Sequence, residues 1–122
     1  MSGALPPGWP SEVRPPDTPD WERSAVAWLF DLCPPDYRGY DVLRRHPVVL
    51  ARFAAGHVGA AREAVRHGMG TARAELRGLV PPAVVDAAVA VYEREGDRLA
   101  ATARAVDLVA GALAGTRYRP KL

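Results

Sequence analysis

The 122-residue chain contains no isoleucine, asparagine or glutamine, a single lysine (Lys121) and a single cysteine (Cys33). One cysteine excludes an internal disulfide and suits a reducing compartment. No apolar run approaches the ~20 residues that a membrane-spanning helix needs. The N-terminus is acidic and proline-rich, with no basic segment leading into an apolar one, so no signal peptide is expected. Together these absences point to a soluble, cytoplasmic protein. The shortage of lysine is matched by fifteen arginines, with heavy use of Ala, Val, Pro and Gly. That is the usage of a GC-rich genome, so the arginine excess does not by itself indicate phosphate recognition.

What is present is uneven. The net charge is only +2, yet residues 1–43 are acidic, 44–78 basic, 79–115 mildly acidic and 116–122 purely basic. Residues 1–18 form a Pro-rich stretch without periodicity and are read as an extended arm, with Leu5 and Trp9 as its anchors. A single helical domain is expected over 19–115, and 116–122 is a basic tail.

The expected fold is all-α. A first helix spans about 19–33, with Thr18 as N-cap, Pro19 in the first position and Trp21, Ala25, Trp28, Leu29 and Leu32 at helical spacing. Pro34-Pro35 stops it. A turn through Tyr37 and Tyr40, and one short helical turn over Val42–Arg45, lead to Pro47. A long helix then runs from 47 to 77, with Gly78 as its terminating glycine. After Pro81-Pro82 another follows over 82–114. Its apolar positions, Val85, Val89, Tyr92, Gly96, Leu99, Ala103, Val106, Ala110 and Leu113, alternate four and three as in a coiled-coil seam.

A connection this short makes the two long helices an antiparallel hairpin. Placing residues at 100° intervals puts Arg52, Arg62, Arg66 and Arg73 on one flank, facing Asp107, Asp97, Glu93 and Asp86 on the other helix. The same register sets Gly68 opposite Tyr92 and Ala61 opposite Leu99. The arginine stripe is therefore read as internal pairing rather than a nucleic-acid surface. The other flank is largely uncharged apart from Glu95, and the first helix is expected to pack on this apolar side. Being half the hairpin's length, it leaves Val84, Ala88, Val91, Ala64 and Thr71 near the turn as a candidate protein interface.

Reactive constellations are not evident. His46, His57 and His67 lie about 15 Å apart along a helix and off a common face, so they cannot share a metal. Cys33 suits plain burial. The glycines form neither a phosphate loop nor a dinucleotide motif. An enzyme would need His57, Glu95 and Tyr92 to converge. No catalytic residue, metal site or cofactor is assigned. The tail residues Arg117, Tyr118, Arg119 and Lys121 form a candidate contact for a charged partner, with no acidic neighbour in sequence. Nucleic acid, an acidic protein surface or no partner would each account for it.

The run LPPGWPSEVRPPDTPDWERSAVAWLFDLCPPDYRGY, followed by VLRRHPVVLARF, resembles the front part of a small uncharacterised helical protein family of actinobacteria. The likeness covers roughly residues 5–55. It implies a bacterial, cytoplasmic setting and no particular activity. The functional expectation is a non-enzymatic helical interaction or scaffold protein that associates with itself or another protein. The alternative is a small nucleic-acid-associated protein using the tail with Arg44, Arg45 and Arg77.

Overall fold

A computed structural model describes residues 4–121. Four α-helices follow in order: α1 (Trp21–Asp31), α2 (Asp41–Arg45), α3 (Pro47–Leu76) and α4 (Pro82–Leu113), with a 3-10 turn over Pro35–Gly39 between α1 and α2. Helices α3 and α4, of 30 and 32 residues, make an antiparallel hairpin about 45–48 Å long. Among the described residues the only β-type pairing is the isolated bridge between Arg77 and Val80 inside the turn.

The first helix begins later than its sequence suggests. Asp17 and Asp20 both adopt positive φ, 68° and 62°, and the left-handed Asp20 breaks any helix started at Pro19. Thr18 does not cap α1. Its hydroxyl donates back to the Pro15 carbonyl at 2.6 Å instead. The Ser24 hydroxyl donates to the Trp21 carbonyl and accepts the Arg14 backbone N–H at 2.9 Å, which ties the arm to α1. The long helices end close to expectation. Gly78 and Gly115 take positive φ beyond α3 and α4. After α4 the Gly115 and Thr116 N–H groups return to the carbonyls of Ala112 and Gly111, the paired bonds of a Schellman motif.

The hairpin register is symmetric about residues 79–80. Gly68 faces Tyr92 so closely that a Cβ on Gly68 would lie 2.6 Å from the ring's Cζ, and Val65 packs at the Gly96 position. A bulky ring opposite a glycine lets the two helices approach without a void. The charge ladder is much less complete than the sequence geometry implies. Arg73 pairs with Asp86 at 2.7 Å, as expected. Arg66 pairs with Glu63 on its own helix rather than Glu93, and Arg62 and Arg52 make no ion pair among the described residues. A partner one turn away on the same helix is nearer than one across the interface, and a straight helix drifts ~20° per heptad from a constant seam. Only the rung next to the turn is formed.

The core is concentrated at the open end of the hairpin. Leu29, Leu43, Leu50, Val106 and Val109 are almost wholly inaccessible, and around them lie Val13 of the arm, Trp21, Ala25, Trp28 and Phe30 of α1, and Ala54 of α3. Helix α1 rests on α3 and, less extensively, α4. Ala105 and Val109 on the uncharged flank of α4 are buried here. Tyr37 of the 3-10 turn covers the matching flank of α3, edge-on to Phe53 and 5.1 Å from the His57 ring. Toward the turn only Ala72 and Val85 are buried, and neither belongs to the main core.

Candidate functional site

Two regions carry the sequence-derived assignments, at opposite ends of the hairpin. Beside the turn, Val84 and Val91 are 48% and 58% exposed, and Leu79 at the corner is 75% exposed. Ala64 is exposed, while Ala88 and Thr71 are half-buried; the Thr71 hydroxyl is returned to the His67 carbonyl at 3.0 Å. Val84 and Val91 share one flank of α4 because they are seven residues apart, two turns of helix. Among the described residues no third helix covers them, since α1 is only eleven residues long and its links hold it at the open end. Glu95, the main charge on this flank, is gripped by Arg98 through two hydrogen bonds of 2.9 and 2.8 Å. Those bonds hold its carboxyl below the usual glutamate range and raise the arginine in turn.

The basic tail is placed differently from its sequence expectation. Arg117 has an acidic partner: its Nε and Nη2 each lie 2.9 Å from a carboxylate oxygen of Asp17. Nη1 donates to the carbonyls of Ala112 and Thr116 at 2.8 and 3.0 Å, and the guanidinium sits 5.6 Å from the Trp21 ring centroid. All three guanidinium nitrogens are thus engaged within the chain. Tyr118 is partly exposed and lines a cleft between arm and α4. Arg119 and Lys121 remain exposed, without ion pairs among the described residues. The arm is integrated rather than trailing: Val13 is in the core, and the Trp9 indole N–H donates to the Val13 carbonyl at 2.8 Å. Sequence reasoning passed over Asp17. The available signal was the acidic balance of residues 1–43 set against the basic tail.

Of the groups an enzyme would need, Tyr92 and Glu95 are neighbours on α4 but His57 lies away from Tyr92. His57 packs on Tyr37, Tyr92 packs at Gly68, and Glu95 is held by Arg98. Gly68 lies eleven residues beyond His57 on α3, roughly 16 Å along the axis. Among the described residues no three His, Cys, Asp or Glu side chains gather in a metal-binding group. Cys33 is buried, and desolvation raises its thiol pKa despite a smaller opposing influence of Arg38. A buried, protonated thiol is a poor nucleophile. No helix among the described residues is long and apolar enough to cross a membrane. Compared with protein-family models, curated proteins and solved structures, the chain matches none.

Proposed function

We propose that the protein is a non-enzymatic helical interaction module that self-associates through the apolar flank beside the hairpin turn, formed by Val84, Ala88, Val91, Ala64 and Thr71. The observation that carries this reading is the uneven burial along the hairpin. At the open end three or more elements enclose a core, whereas near the turn two helices stand without a covering layer. A pair of helices cannot enclose an apolar stripe unaided, and a third or fourth helix is the usual remedy. A second copy supplies two. With a two-fold axis across the flank, two turn-proximal halves pack as a four-helix bundle with coiled-coil-like seams, each copy presenting the same patch. The Glu95–Arg98 pair supports this choice, because it limits like-charge repulsion where the flank meets its own image.

Sedimentation velocity over a range of protein concentrations tests the reading. A reversible monomer–dimer equilibrium is expected, and a strict monomer at high concentration would remove the self-association. The nucleic-acid alternative is disfavoured by the commitment of Arg117 to Asp17 and to backbone carbonyls. It would require salt-sensitive DNA or RNA binding that is lost with residues 117–121.

A further inference from the structure

The Pro-rich arm runs beside the last turns of α4, close enough that a Cβ on Gly8 would lie 3.6 Å from Leu108 Cδ1. The tail returns along it, and together they leave a cleft of about 370 Å³. Leu5, Trp9, Leu108 and Tyr118 supply its apolar and aromatic lining; Asp17, Arg117 and Asp107 supply its charged groups. That size falls in the ~300–1,000 Å³ range of small-molecule sites, and the mixture of an apolar lining with few polar groups is also theirs. The Trp9 ring is fixed by its hydrogen bond to Val13, so this part of the lining is formed before any ligand arrives.

The charges choose the ligand. Asp17 and Arg117 satisfy one another through two bonds, and the remaining Arg117 nitrogen is spent on backbone carbonyls. Four of the five N–H donors of that guanidinium are spent and its charge is balanced by Asp17, so it offers an anion little. Asp107 has neither an ion pair nor a side-chain hydrogen bond among the described residues. The cleft thus holds one uncompensated negative charge beside two aromatic residues, which favours a cation with an apolar body.

We propose that this cleft binds a small organic cation, a protonated amine on an apolar or aromatic body, with its nitrogen at Asp107 and its body against Trp9, Leu108 and Tyr118.

Benzylamine, benzyl alcohol and benzoate share a ring and differ in charge, so they serve as probes. Each is titrated into the full chain at fixed ionic strength while the Trp9 indole and Gly111 amide resonances are followed by NMR. Benzylamine is expected to shift both saturably, benzyl alcohol to bind about tenfold more weakly, and benzoate more weakly still. Asp107→Asn should reduce benzylamine to the level of the alcohol, and Asp107→Glu should retain the preference for the amine. Because residue 107 is exposed, neither change threatens the core. Equal binding of the three probes, no saturable shift with any of them, or an amine preference that survives Asp107→Asn would each overturn the proposal.

Discussion

Arg117 clasps Asp17 across one hundred residues of chain, each of two guanidinium nitrogens lying 2.9 Å from a different carboxylate oxygen. The clasp joins the tail to the end of the Pro-rich arm, just before Asp20 turns the chain into α1. Its hydrogen bonds hold the Asp17 carboxyl below its ordinary pKa of 3.8 and raise Arg117. The folded chain therefore binds that proton less readily than the unfolded chain. The clasp contributes at neutral pH and is lost as the pH falls through the folded-state value, below 3.8. Acidification below pH 3.8 should loosen the tail, read as rising protease sensitivity around residues 114–121, while Val13 keeps the arm in the core. Asp17→Asn should show that sensitivity already at pH 7 and lose much of the pH dependence.

The Gly68–Tyr92 contact gives a test of register. Gly59 and Gly70 have open space at their Cβ positions, so Gly59→Ala and Gly70→Ala should stabilise by about 0.5–1 kcal/mol through helix propensity alone. Gly68→Ala should fail to show that gain, because the new methyl displaces the Tyr92 ring. In a Tyr92→Ala background the gain should return. Urea unfolding of the four chains in the cycle measures the coupling, expected at roughly 1 kcal/mol.

Of the four cross-hairpin charge pairs that the helical geometry suggests, one is formed. A double-mutant cycle on Arg73 and Asp86 should give a coupling of about 0.2–1 kcal/mol that shrinks with added salt. Cycles on Arg66 with Glu93, Arg62 with Asp97 and Arg52 with Asp107 should give values indistinguishable from zero.

Core truncations should be costly at one end and mild at the other. Leu29→Ala or Leu50→Ala, both at fully buried positions, should cost about 2–5 kcal/mol. Leu76→Ala, at a half-buried position near the turn, should cost much less when measured at low protein concentration. Thermal unfolding of the variants reads both.

The proposed self-association through the turn-proximal flank would make stability depend on concentration. The wild-type Tm should rise with protein concentration as the native dimer is favoured by mass action. Val84→Glu and Val91→Glu should each give a monomer whose Tm no longer varies with concentration. Because both side chains are already about half exposed, the monomer itself should unfold nearly as before at high dilution.

The sequence was sufficient where structure depends on local chemistry. Proline pairs stop α1 and begin α4, Gly115 supplies the positive φ that ends α4, and the four-three spacing from Val85 to Leu113 includes the buried Val85, Leu99 and Val106, although Ala105, Val109 and Ala112 are buried off that seam. The hairpin register was legible too, because Gly68 leaves room for one large residue and Tyr92 lies at the symmetric place. Those effects act within a turn of helix or across a seam whose geometry is nearly constant.

Tertiary structure alone decided the rest. Whether Arg66 reaches Glu93 or Glu63 depends on a few ångströms of separation between two helix surfaces, which a 100° wheel does not contain. The start of α1 at Trp21 follows from the left-handed Asp17 and Asp20, conformations set as the arm folds back beneath Ser24 rather than by any helix signal. Most of all, the meeting of Asp17 with Arg117 needed the arm, the α4 terminus and the tail brought together around Trp21. Local propensity acts over a handful of residues, so a contact spanning a hundred of them becomes visible only once the core has fixed both ends.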